Sequence, residues 1–175
     1  DTSISEFFNS LPLSVSENAE KSNLCILPIP MGTGNAWASS LSHVNPIESF
    51  GSYIGGSLRL SSFPLYRALF PNNYSIVFFI IFSLGFHANL LHACEDPELK
   101  KIGTERFKMA AQKILQEYDL RLDISVGQFS NSYAYFAIIN TTNLEQTYIP
   151  SPLSDPLKPE LHILGYSSGL STEKL

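Results

Sequence analysis

The chain has 175 residues and a formal net charge of −5, and only 15% of its residues are charged. An acidic balance argues against a nucleic-acid-binding protein, for which a basic patch is expected. The hydrophobic content of 44% predicts a globular protein with a sizeable core, built as one ordinary domain or as two smaller pieces. Both cysteines, Cys25 and Cys94, lie in or beside apolar segments and are predicted to be reduced, buried thiols.

The first predicted helix runs from Ile4 to Leu13, where apolar residues recur at helical spacing. Asp1, Thr2 and Ser3 stand where its N-cap and first turn would be. After a polar stretch, the apolar run at residues 24–27 predicts a buried strand, which two prolines bring to an end.

A glycine-rich turn follows this strand. Gly32, Thr33, Gly34 and Asn35 precede a helix predicted over residues 35–41. Glycine lets the backbone approach a phosphate closely, and the N–H groups and dipole of a helix start favour negative charge. The pattern therefore predicts an anion site, although an ordinary strand-to-helix turn has the same pattern.

One uncharged run, Ile76 to Phe82, raises the question of a membrane span. A spanning helix needs about 20 apolar residues, and this run is far shorter, β-branched and aromatic. It predicts a buried strand over residues 76–83, so we expect no transmembrane segment. The other predicted elements are a helix over 46–50, a strand over 58–62, a turn at 71–73, a helix over 98–118, a hairpin of strands 120–126 and 133–140 around a turn at 127–131, a loop over 141–159 and a strand over 161–166.

Residues 27–38, L-P-I-P-M-G-T-G-N-A-W-A, resemble the L-P-x-G-T-G-N-A/D-x-A segment of the diacylglycerol kinase catalytic-domain superfamily, which includes diacylglycerol, ceramide and sphingoid-base kinases. Other marks of this family stand around it in order. Residues 1–11 resemble G-G-D-G-T-x-x-E-x-x-N-G-L, entered at its Asp, and 84–88 resemble G-F-x-A-D. Residues 103–107 resemble L-G-x-x-R-F/Y, and 150–164 resemble the family's proline-rich closing segment. The resemblance covers nearly the whole chain.

The resemblance implies an α/β fold class with two domains. Residues 1–50 would be the C-terminal part of a nucleotide-binding α/β domain, and 51–175 a β-rich domain of antiparallel strands with one long helix. Because the sequence opens inside a family motif and does not begin with Met, we expect it to be a piece of a longer protein, with the upstream part missing and the C-terminal end truncated.

The resemblance also implies an ATP-dependent lipid kinase, which would transfer the γ-phosphoryl group to the primary hydroxyl of a sphingoid base, ceramide or diacylglycerol. The cofactors would be ATP and Mg²⁺, with the ion shared between ATP and a few carboxylates rather than held in a closed protein site. We expect a cytoplasmic protein, peripheral at membranes, whose partners are ATP and a lipid substrate at a membrane surface, and no nucleic acid.

Individual roles follow from the same resemblance. Asp1 would be the general base, and Arg106 and Lys100 would be cations that contact the nucleotide phosphates. The residues that would cradle the phosphates are Thr2, Ser3, Gly32, Thr33, Gly34 and Asn35. The family's Gly-Thr after the aspartate is replaced by Thr2-Ser3, which keeps a hydroxyl but loses the glycine.

Several alternatives stay open at this point. Asp1 to Ser3 are also compatible with helix capping alone, and Lys100 and Lys101 with a solvated helix face. Asn89 stands where the family has an acidic residue after G-F-x-A, so the lipid is not assigned. The late acidic residue that helps to bind metal is either Asp155 or Glu160. The whole chain could also be a catalytically inactive lipid- or nucleotide-binding relative, and, less favoured because of G-T-G-N-A-x-A, a kinase of the NAD-kinase type.

Overall fold

The structure is a computed structural model that describes residues 2–11, 24–32, 34–116, 121–144 and 148–169. The chain is a mixed α/β fold, as expected. It divides into two compact units, which we call unit 1 (Asp1–Ile81 and Ile139–His162) and unit 2 (Phe82–Ile138 and Ile163–Leu175). This division differs from the boundary expected near residue 50, and the assignment of residues 1–50 to a nucleotide-binding domain stays a prediction.

Unit 1 contains three helices and a two-stranded antiparallel sheet among its described residues. These elements are α1 (Thr2–Ser10), α2 (Ala36–Ser40), α3 (Pro46–Ile54), β1 (Tyr66–Leu69) and β2 (Ser75–Phe78). A 3-10 turn, Pro71–Asn73, joins the two strands, and Asn72 and Asn73 both adopt positive φ there. The register pairs Tyr66 with Phe78 at one end and Leu69 with Ser75 at the other.

The core of unit 1 is aromatic. Phe8 of α1 and Trp37 of α2 are buried in one cluster with Phe79, and the half-buried Phe63 packs against it. Both Phe8 and Trp37 contact the same two rings, Phe63 and Phe79, with ring centroids between 4.8 and 6.1 Å apart. The two helices that carry the N-terminal and glycine-rich motifs therefore share one hydrophobic core.

The remaining elements begin at the end of unit 1 and make up unit 2. They are β3 (Ile81–Gly85), α4 (Phe86–Ala93), α5 (Pro97–Lys100), α6 (Glu105–Gln116), β4 (Leu122–Val126), β5 (Phe129–Ile139) and β6 (His162–Ser167). The long strand β5 pairs with β3, β4 and β6. Strands β4 and β5 form an antiparallel hairpin in which Val126 pairs with Phe129, and Gly127 supplies the positive φ that such a tight turn requires.

Several predicted elements are confirmed. Helix α1, helix α2 and strand β6 lie within a few residues of their predicted positions, and the β4–β5 hairpin forms with a shorter turn than expected. Helix α3 begins at its predicted start, where Asn45 accepts bonds from Ile47 N and Glu48 N, and extends four residues beyond its predicted end. The described residues of the loop at 141–159 contain no helix or strand.

The predicted buried strand at residues 24–27 is wrong. Residues 24–31 have no regular secondary structure, and Leu24 and Cys25 are exposed. Pro28 and Pro30 have no N–H to donate to a strand ladder, so the apolar run lacks the continuation that a strand would need. The prediction that both thiols are buried accordingly fails for Cys25 and is confirmed for Cys94.

Three further predictions need correction. Residues 58–62 are exposed and form no strand, because their alternation faces no core. The run at 76–83 is split by a bend at residues 79–80 into β2 and β3, which pair in different sheets. The helix predicted over 98–118 is two helices, α5 and α6, because Gly103 between them adopts a φ of +62°. Helix α4 was not predicted.

Candidate functional site

The glycine-rich turn is closed by the side chain of Asn35. The Gly32 N–H donates to Asn35 Oδ1 at 2.8 Å, and Asn35 Nδ2 donates back to the Gly32 carbonyl at 2.5 Å. Asn35 itself adopts the left-handed conformation, with φ 50° and ψ 36°, which asparagine tolerates better than most residues. Its side chain makes no capping bond to α2, although Asn is among the best N-cap residues. The amide therefore shapes the turn rather than capping the helix.

The two glycines of the turn meet different surroundings. A Cβ at position 32 would lie 3.3 Å from Asn35 Oδ1, so a larger residue would crowd the atom that accepts the Gly32 N–H bond. A Cβ at position 34 would lie 3.7 Å from the Leu144 carbonyl oxygen, an ordinary van der Waals contact. Gly32 and the preceding Met31 are exposed, so one side of the turn is open to solvent. Thr33 lies outside the described residues.

Helix α2 anchors the turn to the rest of unit 1. Ala36, Trp37 and Ala38 are all buried. At the far end of the helix, Ser40 Oγ lies 2.5 Å from Thr141 Oγ1 and accepts a bond from the Asn143 N–H at 3.0 Å. The helix that follows the turn is thus held by its own buried residues and by the chain that leaves β5.

The N-terminal motif is only partly described. Asp1 and the side chain of Thr2 lie outside the described residues, and Ser3 is exposed on α1. At the other end of this helix, Asn9 Nδ2 donates to the Val77 carbonyl at 2.8 Å, and the Val77 N–H donates to Asn9 Oδ1 at 2.8 Å. Asn9 pairs with the β2 backbone as a neighbouring strand would, which fixes α1 beside β2.

The predicted cations belong to unit 2, whereas the turn belongs to unit 1. Lys100 forms an ion pair with Glu95 at 2.5 Å, and Lys101 one with Glu98 at 2.6 Å, all on exposed side chains. The hydrogen bond and charge of Lys100, with the charge of Arg106 as a smaller contribution, lower the pKa of Glu95. Both lysines are therefore engaged by neighbouring acids, as the solvated-face alternative expects.

Arg106 differs from the two lysines. Its guanidinium lies 4.9 Å from the centre of the Phe107 ring, and its buried Nε has no hydrogen-bond partner among the residues that the structure describes. Its charge also opposes the effect of burial, which raises the pKa of the Cys94 thiol. A buried guanidinium donor without an acceptor is costly, so among the three predicted cations Arg106 is better suited than Lys100 and Lys101 to bind an anion.

The two late acidic residues surround a fully buried side chain, Asn140. With its amide oriented to satisfy its neighbours, Asn140 Nδ2 donates to the carbonyls of Glu160 at 2.9 Å and Asp155 at 3.1 Å, and its Oδ1 accepts from the Tyr66 hydroxyl at 3.2 Å. Burial, with a smaller contribution from the Glu160 charge, raises the pKa of Tyr66. Asp155 Oδ1 also accepts from the Leu157 N–H at 3.0 Å. Asn140 therefore fixes the loop that carries both acids.

Sequence reasoning missed Asn9 and Asn140 as organising residues. Their partners lie far away along the chain, so no local sequence pattern predicts these contacts. For Asn9, the x-x-E-x-x-N spacing was the one available signal.

No cluster of three or more His, Cys, Asp or Glu side chains that could hold a metal ion occurs within the described ranges. None of the helices found there is long and apolar enough to cross a membrane. The chain matches no protein-family model and no curated protein sequence.

Proposed function

We propose that the chain is part of an ATP-dependent lipid kinase, which transfers the γ-phosphoryl group of ATP to a lipid primary hydroxyl. One observation carries the proposal: the helices bearing the two kinase-like motifs pack through Phe8 and Trp37 onto the same two aromatic rings. Phosphoryl transfer requires a base and a phosphate cradle in a fixed relation, and a shared rigid core supplies such a relation.

The turn at residues 32–35 suits a phosphate in two respects. It is open to solvent at Gly32, and the Asn35 side chain bonds both the N–H and the carbonyl of Gly32. Because the Gly32 N–H is already bonded to Asn35, the groups proposed to hold the phosphate are the backbone at Gly34 and the hydroxyl of Thr33. Asn35 then acts by positioning the turn.

The other proposed roles follow the resemblance. Asp1 is the proposed general base, with Thr2 and Ser3 beside it, and Arg106 and Lys100 are the proposed phosphate cations. Mg²⁺, when bound with ATP, would neutralise charge on the transferred phosphoryl group, with Asp155 or Glu160 as the protein carboxylate. The lipid class stays open among sphingoid bases, ceramide and diacylglycerol.

The direct test uses the full-length protein, labelled ATP with Mg²⁺, and a panel of these three lipids in detergent micelles. Gly34→Val is expected to abolish transfer while the protein stays folded, because a β-branched side chain would intrude where the phosphate approaches. The transfer rate of Gly34→Ala should lie between those of the parent and Gly34→Val, since its Cβ makes only an ordinary van der Waals contact. The matched control is Gly51→Val, at an exposed helical glycine whose Cβ would touch nothing.

Unchanged ATP affinity in folded Gly34→Val would remove the turn from the site. The replacement of the family's Gly-Thr by Thr2-Ser3 favours a second candidate, an inactive relative that binds nucleotide or lipid. Stabilisation of the parent by ATP without transfer to any lipid of the panel would support that candidate and contradict the kinase.

A further inference from the structure

Helix α3 has its apolar side turned to solvent. Ile47 is 83% exposed and Ile54 is 70% exposed, and Phe50 lies between them at helical spacing. The side chain that this helix buries is instead Ser49, whose Oγ donates to the Asn45 carbonyl at 2.8 Å and lies 3.2 Å from His43 Nδ1. A surface helix of a globular protein ordinarily does the reverse and packs its apolar side on the core.

The apolar side continues past the helix. Tyr53 and Phe50 are both exposed, with ring centroids 6.4 Å apart, and the chain beyond Gly56 presents Leu58 and Leu60. We call the six residues Ile47, Phe50, Tyr53, Ile54, Leu58 and Leu60 the α3 apolar face. The helix beneath it is well formed, because Asn45 caps its start and Pro46 occupies its first turn.

Charge on this segment differs from charge on the chain as a whole. Residues 44–62 contain one acidic and one basic residue, whereas the chain has 16 acidic and 11 basic residues. The basic residue, Arg59, stands between Leu58 and Leu60 and forms no ion pair within the described part of the chain. An acidic protein is repelled by an anionic surface, so it would approach such a surface through a segment whose formal charge is zero and whose cation, Arg59, forms no ion pair within the described part of the chain.

The size of the face argues against a second copy of the chain as its occupant. A nine-residue helix is only about 13 Å long, and a stable protein–protein interface needs about 20–30 residues on each side. Insertion into a lipid interface requires no matching partner surface. Aromatic rings beside aliphatic side chains and a flanking arginine are the composition of interfacial helices.

We infer that the α3 apolar face is the surface through which this protein docks on a phospholipid membrane, with its aliphatic and aromatic side chains in the interface and Arg59 at the headgroups. The inference rests on the proposed function for the choice of a membrane, since a lipid substrate resides there. It adds to that function the place on the molecule where the membrane binds.

The test compares two double variants of the full-length protein that change charge equally. Ile47→Glu/Ile54→Glu alters the face, and Leu69→Glu/Leu153→Glu alters two residues of unit 1 outside the face that are similarly exposed, at 78% and 85%. The readout is flotation with phosphatidylcholine vesicles that contain a minor fraction of phosphatidylserine. We expect the face variant to lose binding about tenfold or more, because burial of apolar side chains drives insertion. The control should stay within about twofold.

Equal loss in both double variants, or binding that the face variant leaves unchanged, would overturn the inference. A change in the molecular mass of the face variant in solution would also overturn it, because the face would then be a contact between copies of the chain. So would a lowered melting temperature of that variant, because the face would then be covered by another part of the same protein. Transfer to lipids in micelles, measured on the same variants, separates the two proposals. In the parent protein, kinase activity without vesicle binding contradicts the docking surface alone, and vesicle binding without activity contradicts the kinase alone. In the face variant, lost vesicle binding with retained transfer in micelles is the expected result.

Discussion

The motif residues of unit 1 and the cations of unit 2 are held in contrasting ways. The side chain of Asn9 forms one hydrogen bond with the N–H of Val77 and one with its carbonyl. The side chain of Asn35 does the same with Gly32. Lys100 and Lys101 are instead bound to acids on exposed side chains close by in sequence. Neutral amides that close on backbone thus define local geometry, whereas the exposed ion pairs hold flexible ends. We therefore expect substitution of these asparagines to lower stability far more than substitution of the lysines.

The largest effect on stability is expected from Asn9→Ala. It leaves the N–H and carbonyl of Val77 without partners on a partly buried strand edge, so the free energy of unfolding should fall by about 2–4 kcal/mol. Denaturant unfolding measures this directly. Asn131→Ala is the matched control, because Asn131 also makes side-chain bonds, to Ser167 Oγ and the Ser132 N–H, but on an exposed surface.

A loss in Asn9→Ala no greater than in the Asn131 control would break the comparison, since it would reduce the Val77 contact to a surface bond. Asn9→Asp sharpens it: the carboxylate keeps the acceptor for the Val77 N–H and loses the donor to the carbonyl. The free energy of unfolding of Asn9→Asp should therefore lie between that of the parent and that of Asn9→Ala.

An intermediate effect is expected from Arg106→Ala, and on ligand binding. A charge-assisted bond to phosphate contributes about 1.5–3 kcal/mol, so the KM for ATP should rise about tenfold to hundredfold. Arg106→Lys should recover only part, because lysine lacks the planar fork of donors. Lys108→Ala, an exposed cation on the same helix, serves as control. If the KM for ATP stays unchanged and only the KM for the lipid rises, Arg106 belongs to the binding site of the lipid that accepts the phosphoryl group.

The smallest effect is expected from Lys101→Ala. Its partner Glu98 is exposed, and exposed pairs of this kind contribute about 0.5 kcal/mol or less. A thermal melt at low and high salt should show almost no difference between variant and parent. A clear loss at low salt that vanishes at high salt would show that these ion pairs do hold structure.

The sequence predicted those elements whose signals are local. The β4–β5 hairpin has alternating strands on either side of Gly127, and α2 follows a glycine-rich turn, so both could be located without knowing their neighbours. The predicted strand at residues 24–27 failed because hydrophobicity alone does not supply a hydrogen-bonded neighbour. The break at residues 79–80 was missed because it depends on which sheet each half joins.

For the candidate site, too, the sequence predicted the local pattern but not the contacts between distant residues. The G-T-G-N letters marked the turn, but they did not reveal that Asn35 bonds Gly32 instead of a ligand or its own helix. Asn9 reaches a residue 68 positions away, and Asn140 gathers carbonyls from the proline-rich loop. Such contacts exist only after folding, so the x-x-E-x-x-N spacing could mark Asn9 but could not reveal which residue it contacts.

Trp37 gives unit 1 an optical signature of its own. It is the chain's single tryptophan, it is buried among Phe63 and Phe79, and it lies in the helix that follows the glycine turn. Unit 2 contains tyrosines but no tryptophan, so selective excitation of indole fluorescence follows unit 1 alone. Loosening of the turn or of α2 should expose the indole and shift its emission to the red, which makes events at the candidate site visible without an added label.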